Sequence, residues 1–294
     1  MPSHTSKMIY KIMTLFKFNQ RLAEKIASDD FGIETHTKPS PKMVKKYDIK
    51  TIETEGRKTY IWNLKDLKKQ PIIFYLHGGA FVGGQISLHF HFFKELINQT
   101  DCVMIVPDYP LVPHAHVDDI YNYLDECYKS VSDLCENQHM IFMGDSAGGG
   151  LAVGLAQRLY EKYGLKKQQL MLLSPWLDVS MSHPKINEIQ KEDPILNHET
   201  LKKIGRMYTG KHDIDNPLVR PLLGTFDGID YISVWTGTRD ILYADALQLA
   251  EILSITSVKF DMHIYQDMLH TWMFFGIKES KQAINEMAQK INHI

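Results

Sequence analysis

With 294 residues, 44% of them hydrophobic and 23% charged, the chain can bury a large core as one big domain or two small ones. A formal net charge of −2 supplies no global field for nucleic acid, which is not expected as a partner. The three widely spread cysteines (Cys102, Cys127, Cys135) contain no C-x-x-C pair, which argues against a disulfide framework or a cysteine-built zinc site and for a reduced, cytoplasmic setting.

The chain opens on "MPSHTSKMIYKIMTLFKFNQRLAEKI", too interrupted by lysines to span a bilayer and without the small-residue cleavage site of a signal peptide. At helical spacing Met8, Ile12, Leu15, Phe16, Leu22 and Ile26 share a face, with Lys11, Lys17, Arg21 and Lys25 largely elsewhere. Such a stripe can lie on a membrane surface, but stripes are usually core, so packing on the protein's own body is the expectation. After "TKPSPK", the runs "YDIKTIET" and "RKTYIWNL" read as a hairpin joined at "EGR". Short apolar runs then alternate with helical segments: "PIIFYLH", "DCVMIVPDY", "HMIFMGDS", "QQLMLLSPW", "YISVWTG" and "VKFDMHIYQ", with helix-like stretches around 241–257 and 279–293. Apolar strands without strict alternation, separated by helices, predict a mainly parallel sheet covered on both faces. A polar interval from about Val179 to Leu222 breaks this rhythm and reads as an inserted helical excursion.

Ligands of such sheets bind beyond the carboxyl ends of the strands, where several motifs fall. In "FMGDSAGGG", Ser146 stands between Gly144 and Gly148 where a strand becomes a helix. It is either an ordinary turn with a serine cap or a nucleophile on a turn too tight for side chains. A second cluster, "LHGGAFVGG", is either a flexible turn or a set of main-chain donors for a developing oxyanion. Backbone N–H groups of Gly78 and Gly79 fit that role, with Ala147 as the third donor. A serine also needs a base, and His270 follows the last strand. Asp240, at the end of "YISVWTGTRD", is the carboxylate placed to orient it, while Asp245 and Asp267 read as structural or solvated. The order Ser, Asp, His is that of α/β hydrolases. Two H-x-H pairs, His89/His91 and His114/His116, are the candidates for a metal site. The first pair reads as surface histidines beside packed aromatics, and no metal is expected.

These motifs resemble the hormone-sensitive-lipase-like branch of the α/β hydrolases, esterases marked by an HGG oxyanion motif and GDSAGG. "HGGAFVGG", "DYPLVPHAHVDD", "GDSAGGG", "LLSPWLDVS" and "TGTRDILYADA" follow the family's order across nearly all of the chain after residue 45. The resemblance implies a single α/β-hydrolase domain over 1–294, a mostly parallel central sheet flanked by helices, capped by about 1–45 and an insertion at about 179–222. It implies Ser146 as nucleophile, Asp240 as acid, His270 as base, and Gly78, Gly79 and Ala147 as oxyanion donors. No metal or organic cofactor is called for. The substrate would be a small ester of short-to-medium acyl length, under a lid offering Met8, Ile12, Phe16, Ile195, Leu196, Leu201 and Met207. The same machinery could cleave amides of the aryl-formamide or small-peptide kind, and a non-catalytic binder on this scaffold is a weaker alternative. Membrane association is not favoured, and the assembly is left open between monomer and homodimer. Three positions depart from the family: Ala80 where a third glycine is common, Pro110 and His114 for arginine and glutamate, and Thr271-Trp272 after the base.

Overall fold

The apolar runs form one eight-stranded sheet in a computed structural model of the protein, which describes residues 2–17, 19–20, 23–24, 37–135 and 139–293. Strands β1 (Lys50–Thr54) and β2 (Arg57–Trp62) make the expected antiparallel hairpin, turning at Glu55 and Gly56, both at positive φ. A tight hairpin turn needs that backbone because its twist must match the strands. From there the sheet takes β3 (Ile72–Leu76), β4 (Val103–Pro107), β5 (Met140–Asp145), β6 (Gln168–Leu173), β7 (Ile229–Gly237) and β8 (Lys259–Tyr265). The spatial order is β1-β2-β4-β3-β5-β6-β7-β8, with β2 antiparallel to β4 and every later pairing parallel. The chain leaves β3 for β4 on one side and then crosses back to β5 on the other, so the loops after β3 and β5 meet at a switch point.

Every residue of β3, β4 and β5 is buried, because helices cover both faces. Alternate side chains feed two cores. Ile72, Phe74 and Leu76 join Ile120 of α4 (Val117–Leu134), Leu151 of α5 (Ala147–Tyr163) and Leu249 of α8 (Tyr243–Leu253). Ile73 and Tyr75 join Phe92 of α3 (Ser87–Thr100) and Ile284 of α9 (Lys278–Asn292). Cys102, Cys127 and Cys135 are free thiols, all buried.

The excursion between β6 and β7 carries α6 (Ile186–Ile189) and α7 (His198–Thr209). Its Ile186, Ile195, Leu196, Leu201, Ile204 and Tyr208 are buried in the first core, and Met207 packs against it. At the N-terminus, α1 (His4–Leu15) precedes the short α2 (Pro41–Lys46). Here the expectation fails. Met8, Ile12, Leu15 and Phe16 are 56%, 46%, 78% and 53% exposed, and Ile9, Tyr10 and Met13 face the body instead. Those three make a competing stripe, and polar ties fix the helix in that phase. Ser3 bonds Glu279, Ser6 Oγ meets Met268 Sδ at 3.6 Å, and Arg239 lies 4.2 Å from the Tyr10 ring centre. Leu22, Ile26, Arg21 and Lys25 lie outside the described residues. Among the described residues no helix is long and apolar enough to cross a membrane.

Candidate active site

Ser146 sits between β5 and α5 at φ 53° and ψ −123°. A non-glycine residue is strained there, at a cost of roughly 1–3 kcal/mol that the surroundings must offset. They do so through the backbone. The Ser146 N–H donates to Leu173 O at 2.9 Å, and the Trp176 N–H donates to Ser146 O at 2.9 Å. The glycines follow from closeness. A Cβ on Gly148 would lie 2.0 Å from Leu76 O, and one on Gly144 2.3 Å from Gly148 O. The start of α5 is thus pressed against the end of β3. Ser146 makes no side-chain cap bond to its helix, which disposes of the capping alternative. Its Oγ lies 3.0 Å from His270 Nε2.

His270 comes from the loop after β8, and its Nδ1 is 2.8 Å from Asp240 Oδ2, on the loop after β7. Asp240 is fully buried and accepts the Leu242 N–H through Oδ1 at 2.9 Å. With Nδ1–H donated to Asp240, Nε2 is left to accept the Ser146 hydroxyl proton. Burial pulls the His270 pKa down. The charge and hydrogen bond of Asp240, then the charges of Asp193 and Asp145, outweigh it and leave the group above its ordinary value. The two rival carboxylates are engaged elsewhere. Asp245 Oδ2 accepts the Leu177 and Asp178 N–H groups at 2.8 and 3.0 Å, and Asp267 pairs with Arg239 at 3.3 Å.

The loop after β3 requires one correction. The Gly78 N–H donates to Asp145 Oδ1 at 2.8 Å, so it is not free to meet a substrate. Among the described residues, the N–H groups of Gly79, Ala80 and Ala147 carry no internal hydrogen bond. Ala147 is the first residue of a helix, where N–H groups lack partners by construction. Gly79 is exposed and Ala80 half-buried, whereas Gly78 is buried. The loop turns through positive φ at Gly79 (124°), Ala80 (52°) and Phe81 (60°), closed by the Gly83 N–H donating to Gly79 O at 2.8 Å.

Asp145 anchors this arrangement from below. It accepts the Tyr75 hydroxyl at 2.6 Å and lies 3.3 Å from His89 Nε2, while His89 Nδ1 accepts the Ile86 N–H at 2.9 Å. Burial pushes the Asp145 pKa up, but His89, Tyr75 and the Gly78 N–H bring it below the ordinary value. His89 is therefore no surface histidine. It is buried against Phe93 and Phe274, and of that pair His91 alone is exposed. His116 Nδ1–H donates to Met207 O at 2.8 Å.

Above the loop, Phe81 stacks on Tyr208 of α7 at 3.8 Å and lies 5.2 Å from Trp176. The loop bearing Pro110 and His114 is gripped from β2, where Arg57 Nε donates to Asp108 O at 2.6 Å. Trp272, two residues after His270, is buried in the second core against Tyr265. Sequence reasoning missed Asp193. It lies within the polar excursion, in "KEDPIL", where nothing marks a buried carboxylate.

A family profile described as the α/β-hydrolase fold matches residues 73–274. An esterase of Acinetobacter venetianus is 30% identical over 222 residues, covering 74% of this chain and 73% of that protein. An acetyl-hydrolase of Streptomyces hygroscopicus is 24% identical over 238 residues, 79% of each. A crystal structure described as a hormone-sensitive lipase from a metagenome library superposes with a TM-score of 0.83 over 98% of each chain at 22% identity, a likeness of fold.

Proposed function

From the membership of this chain in the α/β-hydrolase family, as an esterase-type hydrolase, we propose that it is a hormone-sensitive-lipase-like esterase of small-molecule esters in which Ser146, His270 and Asp240 carry the reaction. The observation behind this reading is the continuous relay of 3.0 and 2.8 Å from Ser146 through His270 to Asp240. His270 takes the hydroxyl proton as Ser146 Oγ attacks the acyl carbon. The negative charge that develops on the former carbonyl oxygen meets the N–H groups of Gly79, Ala80 and Ala147. Collapse expels the alcohol, protonated by His270, and leaves an acyl-enzyme. Water, activated by the same imidazole, then releases the acid. Ala80 serves as well as the family's third glycine because the donor is main chain.

The described N-terminal residues and the 179–222 excursion act as a cap. The Asn19 N–H donating to Pro194 O at 3.0 Å, which joins the two, supports that role. The aromatic group Phe81, Trp176 and Tyr208 fills space beside the oxyanion loop and favours short-to-medium acyl chains. Each methylene adds about 0.8 kcal/mol while room remains and costs strain once it is gone. The three buried free thiols suit a reducing, cytoplasmic compartment. Fluorophosphonate labelling tests the nucleophile: it is lost in folded Ser146→Ala, together with a kcat loss on the order of 10⁴-fold or more. With p-nitrophenyl esters, kcat/KM rises from acetyl to butyryl or hexanoyl and then falls. Wild-type labelling in the alanine variant would refute the assignment of Ser146, and a monotonic rise with chain length would refute the pocket.

A further inference from the structure

Asp193 belongs to the polar excursion between α6 and α7, yet it is 2% exposed. Its Oδ1 accepts the N–H groups of Ile195 and Leu196 at 2.8 and 2.9 Å, and its Oδ2 accepts the Ile241 N–H at 2.9 Å. The next amide along the chain, Leu242 N–H, goes to Asp240 Oδ1 at 2.9 Å. Two buried carboxylates from distant parts of the sequence thus occupy consecutive amides of one loop. Among the described residues no ion pair neutralises Asp193. The nearest arginine in sequence to that loop, Arg239, turns to Glu192 at 3.5 Å and Asp267 at 3.3 Å. Like charges held together out of water repel, and a cation formed between them is favoured correspondingly. The cation that catalysis forms there is the imidazolium of His270.

We propose that Asp193 is a positioning residue for ester hydrolysis: a second carboxylate that, with Asp240, stabilises protonated His270 and ties the excursion to the loop bearing the acid. The proposal rests on the Ser146–His270–Asp240 reading. The other charged groups around this cluster are accounted for. Asp145 lies beneath Ser146 and spends its charge on Tyr75, Gly78 and His89. Asp245 faces the amides of Leu177 and Asp178. Glu192 and Arg239 pair with each other toward the surface.

The sign follows from the charges. Burial raises the Asp193 pKa, the charge of Asp240 raises it further, and the three amides only partly offset this. Once ionised, Asp193 favours the imidazolium and so raises the pH at which His270 gives up its proton. Catalysis begins from neutral His270, so the acid limb of kcat/KM reports that pH. Removing the Asp193 charge moves the limb to lower pH.

The test is the pH profile of full-length wild type, Asp193→Asn, Asp193→Glu and Asp240→Asn with p-nitrophenyl butyrate. In Asp193→Asn the acid limb moves down by about half a pH unit or more, and kcat falls roughly tenfold because the imidazolium loses a stabilising charge. Asp193→Glu keeps the limb near its wild-type position. An unmoved limb in folded Asp193→Asn overturns the proposal, since a residue that merely anchors the excursion would lower kcat or stability without shifting it. Should the asparagine variant not fold, the ¹⁵N resonances of His270 in wild type decide. Coupling to a titrating carboxyl gives a biphasic curve, and a single one-proton curve overturns the proposal. Wild-type turnover in Asp240→Asn would instead overturn the triad reading beneath it.

Discussion

Helices α5 and α1 both carry rows of apolar residues, and they use them in opposite ways. From Ala147 to Gln157 every residue of α5 is buried, its glycines pressed against the backbone of Leu76 and Trp176. In α1, Ser6 is the one buried residue among those described, and Met8, Ile12 and Leu15 point outward. The position of α5 is fixed by main-chain contacts that tolerate no added atom. That of α1 is fixed by a few side-chain ties to Glu279, Met268 and Arg239. Amphipathicity tells which residues share a face. It does not tell which face the body takes when two stripes compete and polar anchors choose between them.

Substitutions should respect this contrast, costing most near α5 and least on the outer row of α1. The largest effect is expected at Asp240, the proposed acid. Asp240→Asn should lose about 10⁴-fold in kcat, as expected when a histidine loses the partner that fixes its tautomer. Asp267→Asn should lose less than tenfold, roughly the scale of a surface change away from the reaction. Steady-state assays on matched preparations compare the two, and a dead Asp267→Asn would move the acid to the surface loop. Next comes Gly148→Ala, whose new Cβ would fall 2.0 Å from Leu76 O. Overpacking of that kind costs about 1–3 kcal/mol or more, and the shift it forces displaces Ser146. A lower Tm together with lost turnover is the expected pair of results, and an unchanged melt would show that the elbow gives way easily.

A subtler effect concerns Asp245. Burial first, then the charge of Asp178, holds its pKa well above the ordinary carboxylate range. A raised acid stabilises the fold when protonated, so its contribution is complete below the unfolded-state pKa and is lost as pH rises through the folded-state value. Asp245→Asn should therefore flatten the loss of Tm as pH rises above the ordinary carboxylate range, while retaining turnover within about tenfold, given its lack of contact with His270. A steeper loss over that range in the variant would contradict that sign. The smallest effect belongs to α1. Replacing Met8, Ile12 and Leu15 together by glutamine should change stability by about 0.5 kcal/mol or less per site, with turnover unaltered. A large fall in Tm would mean that the outward row is covered after all and would erase the difference between the two helices.

What the sequence disclosed follows the same division. The strands were legible because a sheet covered on both faces needs uninterrupted apolar runs, and "IIFYL" and "VMIVP" could be little else. Ser146, Asp240 and His270 were legible because each falls just past a strand, in a known order. The glycine-rich loop after β3 was legible as a loop but not amide by amide. That Gly78 is occupied depends on Asp145, a partner 67 residues away. His89 was misplaced for a related reason: its spacing matches that of His91, and only the packed helix shows which of the two turns inward to Asp145. Asp193 gave no signal, since a carboxylate in a polar stretch looks solvated until the chain folds its amides around it. In each failure at least one deciding partner was a polar group remote in sequence, as Ile241 N–H is for Asp193, and periodicity carries no information about such partners.

The three cysteines have a practical corollary. Thiolates, not thiols, react with alkylating and disulfide reagents. Burial pushes Cys102 and Cys127 up to about 12 and Cys135 up to about 11, and all three side chains are closed to solvent. Under native conditions near neutral pH the folded protein therefore behaves toward maleimides as though it had no cysteine. A single Leu15→Cys, on a side chain 78% exposed, would become the sole reactive handle without any background substitution. A fluorophore attached there would sit on α1, whose inner face touches Met268 and Arg239, close in sequence to His270 and Asp240, and would report optically whether that helix moves while an ester is turned over.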